Sequence, residues 1–407
     1  MRTLRFAIRS LVRQPGRTSL GILGIAAVGA LLFDMLLLSR GLVVSFGDLL
    51  DNIGFDVRVT ATDSPLPGGI RLKDADAAAA AVAALPEVAE AVPMRTASGE
   101  IVLTADRTLS LGLSGMDPGT RRPWTIVDGA DLDGALRSAP GERGRDIALP
   151  ALVVNRTLFD ALGASLGSTV SMRVTCEASR AASAPRPFFL VGIAEFPFDD
   201  VSQRTGVMSR GALRDACGDQ RDEADMLMVA SRSGAAAAVT AIKAARPDLM
   251  PITNEQIVAR MQAQGFTYFR QISAVLSTIT LIFGFLLITV LLTVSVNQRL
   301  GEIAALRALG FSRSRAAGDV FAQGALLVAV GGALALPLGW LLSLWLDRIL
   351  KAMPGIPTTM HFFVFEPRAL VAHVGLLVAT ALLASAYPMW LVARLPIATT
   401  LRNEVVG

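Results

Sequence analysis

The chain has 407 residues, of which 52% carry apolar side chains and only 18% are charged. The mean hydropathy is +0.52. This composition excludes a disordered chain and argues against an ordinary cytosolic enzyme, because soluble domains contain about 45–50% apolar residues even when glycine is counted. The 36 glycines raise the apolar share further, and we therefore predict a membrane protein.

The charge balance is basic, with 38 Lys and Arg residues against 34 Asp and Glu residues. Such an excess is compatible with nucleic-acid binding. The basic residues, nearly all arginine, are spread along the chain and cluster mainly beside apolar runs. This distribution is typical of a membrane topology signal rather than of a phosphate-binding face, so no nucleic-acid partner is expected.

Four apolar stretches are long enough to cross about 30 Å of hydrocarbon, which takes about 20 residues. They are Thr18–Ser39, Ile272–Val296, Ala322–Leu346 and Ala369–Val392. Arginines precede the first stretch, separate the second from the third and follow the fourth. Because arginine beside a span stays in the cytoplasm, we predict that both termini are cytoplasmic. The first apolar core is longer than that of a signal peptide and lacks a cleavage site, so we expect an uncleaved anchor.

These spans divide the chain into nine predicted segments. They are a cytoplasmic amphipathic N-terminal helix (1–17), transmembrane helix 1 (18–40), an extracytoplasmic domain with stalk helices (41–271), transmembrane helix 2 (272–296), a cytoplasmic coupling turn (297–315), transmembrane helix 3 (316–346), an outer loop (347–368), transmembrane helix 4 (369–393) and a cytoplasmic tail (394–407). The predicted fold class is an α-helical membrane protein. Its four transmembrane helices are arranged one plus three, with a large extracytoplasmic α+β domain between the first and the second.

One acidic residue and one histidine fall within the four apolar stretches. Asp34 is the only acidic residue in the four stretches, and His373 lies near the outer end of the fourth. An ionisable group costs less near the end of a span than at its centre, so we predict that both side chains reach the membrane surface. The alternative is a functional pair such as a proton relay.

The third span contains a row of small residues, Gly331, Ala335 and Gly339, which recur every four positions on one helix face. Small residues at this spacing let two helix backbones approach closely. Gly332 and Pro337 lie beside the row and are residues at which helices bend. The row predicts either a helix that packs tightly and moves or a packing face only.

The extracytoplasmic segment contains two similar strand–helix–strand patterns. They occupy residues 56–61, 74–85 and 88–94, and again 226–230, 234–246 and 249–253. A proline just past each alanine-rich helix marks where that helix ends. We predict one α+β subdomain built from both halves, with residues from about 115 to 214 inserted as a β-rich second lobe.

Residues 41–50 and 254–271 adjoin the first and second spans. If they continue those spans outward as helices, the pair forms a stalk between the bilayer and the extracytoplasmic domain. That domain also contains both cysteines, Cys176 and Cys217. An oxidising compartment permits a disulfide bond, but whether one forms depends on the distance and orientation of the two cysteines in the fold. A bridge and two free thiols therefore remain alternatives at this point.

The sequence lacks the motifs of common catalytic sites. None of the three lysines is followed by Ser or Thr, which a phosphate-binding loop requires. His361 and His373 are twelve residues apart without a nearby cysteine, which is not a zinc-site spacing. We expect no catalytic, cofactor-binding or metal-binding residue in this chain. Asp199–Asp200 and Asp222–Glu223 are interpreted as solvated loop charges, and the sequon at Asn155 as a motif that often arises by chance.

Three segments together carry a family resemblance. They are LRFAIRSLVRQPGRT (4–18), RLGEIAALRALG (299–310) and YPMWLVARLPIATTLR (387–402). They resemble the entry helix, the Glu-Ile-x-x-Leu-Arg-Ala-Leu-Gly signature and the closing motif of the FtsX-like permease family of ABC transporters. This family includes macrolide exporters, lipoprotein-releasing complexes and cell-division permeases. In the closing motif, Val392 and Thr400 stand where the family has alanine.

The resemblance implies a non-catalytic membrane subunit of a type VII ABC transporter in the bacterial inner membrane. Such a permease works as a dimer, with a second copy or a paralogue, and with a separate ABC ATPase that binds ATP and magnesium. A periplasmic adaptor protein and membrane lipid are further expected partners. The turn at 297–315 would dock on the ATPase. The expected coupling residues are Glu302, Leu306, Arg307, Leu309 and Gly310.

The implied mechanism is mechanotransmission, in which ATPase motion crosses the membrane to the extracytoplasmic domain. It would drive export or extraction of a drug, lipid or lipoprotein. One alternative is a regulatory permease that activates an extracytoplasmic cell-wall hydrolase without transport. Another is a membrane-anchored adhesion or sensor protein without an ATPase, against which the signature in the turn argues.

Overall fold

The structure is a computed structural model. It describes residues 8–9, 11–13, 15–63, 69–104, 106–117, 119–132, 136–139, 147–176, 184–218, 221–264, 267–298, 300–310, 312–364 and 367–394. The chain divides into two compact units. The membrane unit draws on residues 1–42, 266–348 and 361–407, and the sheet unit on residues 43–265 and 349–360.

The helices and strands of the described residues are labelled in chain order. The helices are α1 (Pro15–Asn52), α2 (Ala75–Ala83), α3 (Arg156–Leu162), α4 (Arg210–Cys217), α5 (Ala235–Ala245), α6 (Asn254–Gln264), α7 (Thr267–Asn297), α8 (Leu300–Ala308), α9 (Arg313–Lys351) and α10 (Pro367–Ala393). The strands are β1 (Val57–Thr60), β2 (Leu72–Lys73), β3 (Val88–Thr104), β4 (Arg107–Met116), β5 (Thr125–Gly129), β6 (Leu136–Ala139), β7 (Ile147–Asn155), β8 (Thr169–Thr175), β9 (Arg186–Glu195), β10 (Thr205–Met208), β11 (Glu223–Ala224), β12 (Met226–Ser231) and β13 (Met250–Thr253).

Four helices of the described chain, α1, α7, α9 and α10, are long and apolar enough to cross a membrane. A helix suits this environment because it satisfies its backbone hydrogen bonds within one segment. One of these helices precedes the β-sheet and three follow it, so the predicted one-plus-three arrangement is confirmed. At 1.5 Å per residue, the 38 residues of α1 extend about 57 Å, well beyond the thickness of the hydrocarbon.

The core of the membrane unit forms where the four long helices meet. One cluster of buried side chains combines all four helices and consists of Ile25, Ile288, Leu292, Leu327, Val328, Ala381 and Ala384. A second cluster, around Phe33, Leu37 and Ala369, joins α1 to α10. Large apolar side chains also cover the outside of the bundle, such as Phe283 of α7 and Leu341 of α9. A helix that is apolar on all sides is typical of a membrane span.

The sheet unit is built around one mixed β-sheet. Within the described ranges it has eleven strands in the order β13-β1-β12-β3-β4-β10-β7-β9-β5, with β6 beside β7, and β8 beside β3 and β9. The pairs β4–β10 and β7–β9 are parallel, and the other pairs of this sheet are antiparallel. Strands β2 and β11 form a separate two-stranded pair.

Both predicted strand–helix–strand patterns belong to one layer, as expected. Strand β1 lies between β12 and β13, and β12 continues the sheet to β3. Helices α2 and α5 bury alanine and aliphatic side chains against these strands, including Ala78, Val82, Ala238 and Ile242. The two halves of the chain that flank the insertion therefore share a single hydrophobic core.

The inserted residues are rich in β-strands, as predicted, but they do not form a second lobe, because their strands continue the same sheet within one compact unit. Strand β3 runs for 17 residues and pairs with β4 from Met94↔Met116 to Thr104↔Arg107. Strands β10 and β8 attach the insertion to this hairpin, through β4 and β3 respectively. The sequence pattern underestimated the length of β3. Pro93 and Gly99 interrupt the alternation of apolar and polar residues along it, and both residues usually weaken a strand.

A disulfide bond joins Cys176, just after β8, to Cys217, at the end of α4, with a Cα–Cα distance of 5.8 Å. The two cysteines are 41 positions apart in the sequence. They lie beside a core cluster that contains Leu158, Met172 and Leu213. The bridge therefore ties a helix to the sheet next to a well-packed core.

Replacing both cysteines, Cys176→Ser with Cys217→Ser, should lower the free energy of unfolding. Closing a loop of 41 residues contributes about 4 kcal/mol in the chain-entropy account of disulfides. Thermal unfolding of the full chain in detergent measures the change. Reductant should lower the midpoint of the wild-type protein and leave that of the double variant unchanged. An equal midpoint for wild type and double variant would contradict a stabilising bridge.

Candidate functional site

Helix α8 connects α7 to α9 and contains most of the predicted coupling residues. Its buried side includes Gly301 and Ala304, and Ala304 is 0% exposed. Glu302 is exposed in the first turn, where a negative charge favours the positive end of the helix dipole. Leu309 follows the helix and is 80% exposed. A leucine this exposed is a candidate contact for a partner.

An apolar cluster anchors α8 to the rest of the membrane unit. Val296 of α7, Val320 of α9 and Val392 of α10 are buried together, and Leu300 and Ile303 of α8 pack against them. All three long helices that follow the sheet unit thus meet at α8.

Gly310 ends α8 in the conformation that a helix-terminating glycine adopts. Its φ is +99°, and its N–H donates to the carbonyl of Arg307 at 3.1 Å. A Cβ at this position would have no atom within 4 Å, so only the backbone conformation requires glycine. Ser312 then precedes α9, and its Oγ accepts a hydrogen bond from the N–H of Arg315 at 3.4 Å.

Arg307 has a partner within the chain, which the sequence did not indicate. Its Nη1 donates to the carbonyl of Val392 at 3.4 Å, near the end of α10. The last carbonyls of a helix lack helical partners, and a basic side chain there is favourable. Among the predicted coupling residues, Glu302 and Leu309 therefore face outward and Arg307 contacts α10. The side chain of Leu306 lies outside the described residues.

The small-residue row of α9 lies against α1. A Cβ added to Gly331 would lie 2.7 Å from Cγ2 of Ile25, and one added to Gly339 would lie 3.0 Å from Cδ1 of Phe33. Ala335, between the two glycines, is 0% exposed. Larger side chains in this row would hold the two backbones apart, so the row makes a close helix contact.

The contacts between α1 and α9 follow increasing residue number along both helices. A Cβ added to Gly29 would lie 2.8 Å from the Cβ of Ala335. One turn beyond Gly339, Ser343 Oγ donates a hydrogen bond to Oδ1 of Asp34. Helices α1 and α9 are therefore parallel, as the first and third crossings of a membrane must be. Ser343 continues the row at the same four-residue spacing, and its hydrogen bond to Asp34 is the part that the sequence did not indicate.

Asp34 and His373 are both fully buried, so the prediction that they reach the membrane surface is wrong. Ser343 holds Asp34 inward, and the ring of His373 packs edge-on against Phe33 with centroids 5.3 Å apart. Within the described residues, neither nitrogen of His373 nor Oδ2 of Asp34 has a hydrogen-bond partner. The two side chains are thus buried in the same bundle without a hydrogen bond between them.

The carboxylates interpreted as solvated loop charges have structural roles instead. Asp199 is 9% exposed and accepts hydrogen bonds from Asn155 Nδ2 and Thr205 Oγ1, each at 2.6 Å. Burial raises the pKa of Asp199, and these two hydrogen bonds partly oppose that rise. Asp222 accepts from Arg210 Nη1 at 2.6 Å. Burial acts to raise the pKa of Asp222, but the hydrogen bonds from Arg210 and the N–H of Asp76, together with the positive charges of Arg210 and Arg214, outweigh it and the net pKa is lowered.

Asn155, the sequon asparagine, is a buried structural residue. It is 5% exposed, and its Oδ1 caps α3 by accepting from the N–H of Leu158 at 2.9 Å. Its Nδ2 also donates to the carbonyl of Gln203 at 2.7 Å. In the described part of the chain, no group of three or more His, Cys, Asp or Glu is placed to hold a metal. The features that remain for the candidate site are the exposed residues Glu302 and Leu309 and the apolar packing that anchors α8.

Residues 274–397 match the family model for the FtsX-like permease C-terminal domain. The chain is 27% identical over 233 residues to an uncharacterised ABC transporter permease protein of Mycobacterium tuberculosis, a match that covers 54% of this chain and 27% of that protein. The chain thus spans about a quarter of the length of this relative.

Two solved structures are similar to part of this chain. The periplasmic region of MacB from Actinobacillus actinomycetemcomitans matches with a TM-score of 0.34 and 12% identity, over 53% of this chain and 98% of that chain. The extracellular domain of the noncanonic ABC-type transporter YknZ from Gram-positive bacteria matches with a TM-score of 0.33 and 10% identity, over 48% of this chain and 99% of that chain.

The close contact between α1 and α9 predicts opposite effects for two glycines of the same helix. Gly331→Ala should lower the stability of the membrane unit by about 1–3 kcal/mol, because the new methyl group overpacks the contact. A Cβ at Gly318 would have no atom within 4 Å, so Gly318→Ala should be neutral or stabilise α9 by up to about 1 kcal/mol. Thermal unfolding in detergent measures both. Equal midpoints for the two variants would contradict the close approach.

Proposed function

Because residues 274–397 match the family model for the FtsX-like permease C-terminal domain, we propose that this chain is the membrane subunit of an ABC transporter in the bacterial inner membrane. Both termini would lie in the cytoplasm and the sheet unit outside it. The family domain is the observation that carries the proposal. The chain would work as a dimer with a second copy or a paralogue, and it would hydrolyse no ATP itself.

The motor in this proposal is a separate ABC ATPase, which binds ATP and magnesium and docks on α8. The exposure of Glu302 and Leu309 supports this docking site. The buried side of α8 supports it further, since Val296, Val320 and Val392 tie the helix to α7, α9 and α10. Movement of the ATPase would shift α8 and, with it, the ends of these three helices.

Transmission to the sheet unit would use the stalk. Helix α1 is continuous from Pro15 to Asn52, so it enters the sheet unit without a break in its hydrogen bonding. In the sheet unit its last turns pack against α6, where Leu50 is buried with Ile252 and Ile257. A continuous helix resists bending over this length. These contacts support mechanotransmission as the means by which ATPase motion would reach the sheet unit.

The proposed work of this motion is export or extraction of a substrate such as a drug, a lipid or a lipoprotein. A periplasmic adaptor protein would be a further partner of the sheet unit. The direct experiment is reconstitution of the purified chain in lipid nanodiscs with a candidate partner ABC ATPase from the same organism. ATP hydrolysis should depend on that ATPase. Robust hydrolysis by the purified chain alone, lost on mutation of one of its own residues, would contradict the proposal.

Leu309→Asp should prevent co-purification of the ATPase while leaving the fold intact. The side chain is 80% exposed, so a charge there costs little within the chain, but it would be unfavourable in an apolar docking contact. Ile70→Asp is a matched control, because Ile70 is 71% exposed and belongs to the sheet unit. It should leave ATPase binding unchanged. Binding of the ATPase by the Leu309→Asp variant at the wild-type level would argue against docking at α8.

Arg307→Glu and Gly310→Val should also weaken docking and uncouple ATP hydrolysis from export, with membrane insertion retained. Arg307→Glu additionally removes the hydrogen bond to Val392, so a stability measurement must accompany it. Gly310→Val forces a branched side chain into a positive-φ conformation, which costs about 1–2 kcal/mol. The measurement is co-purification together with an export or growth assay. Wild-type binding and function in both variants would contradict a coupling role.

A further inference from the structure

The connection between α9 and α10 joins two membrane-spanning helices, so it lies at the membrane surface. Trp345 of α9 is 57% exposed, and Arg348 and Lys351 follow it. Tryptophan and basic side chains gather where a helix leaves the hydrocarbon. Lys351 lies about 9 Å beyond Trp345 along the helix at 1.5 Å per residue. We therefore expect the connection to begin within the headgroup region.

The sheet unit is hydrogen-bonded to this connection through the loop at residues 196–203. The N–H of Thr358 donates to the carbonyl of Asp199 at 3.0 Å. The N–H of Gly355 donates to Oδ2 of Asp200 at 2.8 Å. Because residues 349–360 belong to the same compact unit as this loop, the two segments form one folded surface. We call these contacts the clasp.

A side-chain contact completes the clasp, and the loop itself is well held. Thr359 Oγ1 donates to the carbonyl of Pro197 at 2.6 Å. Asp200 also accepts hydrogen bonds from the Oγ and N–H of Ser202, at 2.7 and 2.6 Å. These bonds, with that from Gly355, hold the pKa of Asp200 below its usual range. Asp200 is therefore ionised at neutral pH and is a strong acceptor for the clasp.

Three large apolar side chains beside the clasp are exposed. Phe198 is 42% exposed, Val201 is 44% exposed and Met353 is 44% exposed. Each lies within two residues of a clasp residue, and the same loops contain the polar residues Asp199, Asp200, Ser202, Thr358 and Thr359. In water this exposure is unfavourable. At a lipid interface the same side chains gain an apolar environment, while the polar loop atoms stay among the headgroups.

We propose that Phe198, Val201 and Met353 form a lipid-contacting surface by which the sheet unit rests on the adjacent membrane leaflet. The partner is the lipid itself, because the clasp continues directly from two spans whose ends define the membrane surface. Through these three side chains the sheet unit would contact lipid, in addition to its connection to the spans through the stalk. It depends on α9 and α10 crossing the membrane and not on the identity of the ATPase or the cargo.

Single introduced cysteines test this surface. The chain has two cysteines and they are bonded to each other, so Phe198→Cys, Val201→Cys or Met353→Cys adds one free thiol. Each variant of the full chain is labelled with an environment-sensitive fluorophore and placed in phosphatidylcholine–phosphatidylglycerol nanodiscs that contain lipid spin-labelled near the headgroup. The controls are Ile70→Cys and Val127→Cys, which are exposed in the same unit at 71% and 49%. Unchanged thermal midpoints confirm folding, and Val201→Cys serves as the mildest replacement.

Quenching at positions 198, 201 and 353 should exceed that at the two control positions severalfold. Quenching equal to the controls would overturn the proposal. Blue-shifted emission without quenching by the spin-labelled lipid would also overturn it, because a protein surface such as a second copy would then cover these residues. The experiment uses no ATPase, so its outcome is independent of the proposed transport function.

Asp200→Ala with Thr359→Val removes two of the three hydrogen bonds of the clasp and leaves the bond from the N–H of Thr358 to the carbonyl of Asp199. In this background the label at 353 should stay quenched, since its segment is joined to the spans. The label at 198 should lose part of its quenching, because the loop at 196–203 is held less firmly. Asp248→Ala, which breaks an exposed pair with Arg246 elsewhere in the unit, is the control. Quenching at 198 that is undiminished in the clasp variant would overturn the role of the clasp in holding this loop at the membrane.

Discussion

Glycine at positions 331 and 339 lets α9 approach α1 closely enough for side chains of one helix to meet the backbone region of the other. In lipid there is no strong hydrophobic drive for helix association, so van der Waals packing and interhelical hydrogen bonds stabilise the contact. The row ends in the hydrogen bond from Ser343 to Asp34. Small residues set the distance between the two helices, and this polar pair sets their register.

The same contact bears on the rest of the proposed mechanism. Helix α1 continues into the sheet unit, and α9 begins just after the turn that follows α8. Helix α9 packs against α1 in a fixed register and begins near α8. A shift of α9 would therefore also displace α1. Close packing of this kind favours discrete arrangements over continuous deformation. We therefore regard the α1–α9 contact as the element on which transmission would depend.

Two buried polar side chains of the membrane unit lack some or all of their hydrogen-bond partners. Asp34 has one described hydrogen bond and His373 has none, although both are fully buried. Burial of polar groups without partners is unfavourable, and such residues in a membrane are functional candidates by default. In the sheet unit, by contrast, Asp199 is buried with partners for both carboxylate oxygens. Asp34 and His373, which lack the full set of partners that Asp199 has, are therefore good targets for mutational study.

The sequence by itself determined the membrane class, the four spans and the strand–helix–strand halves of the sheet unit. Each of these depends on a local property, either the length of an apolar run or the period of apolar residues along it. The signature at 299–310 likewise indicated the position of α8 and its terminal glycine. The continuous sheet was not predicted, since β3 includes Pro93 and Gly99 and pairs with strands on both sides of the insertion.

Only the tertiary structure decided which partner each polar group takes. Ser343 and Asp34 are 309 positions apart, and Gly355 and Asp200 are 155 apart. Arg307, which the sequence suggested as a contact for a partner protein, donates a hydrogen bond to the carbonyl of Val392 within the chain. Burial and hydrogen bonding depend on neighbours brought together by folding, whereas a local sequence pattern describes only residues on the same strand or helix. For this reason the spans could be located from the sequence, but the clasp and the polar end of the α9 row could not.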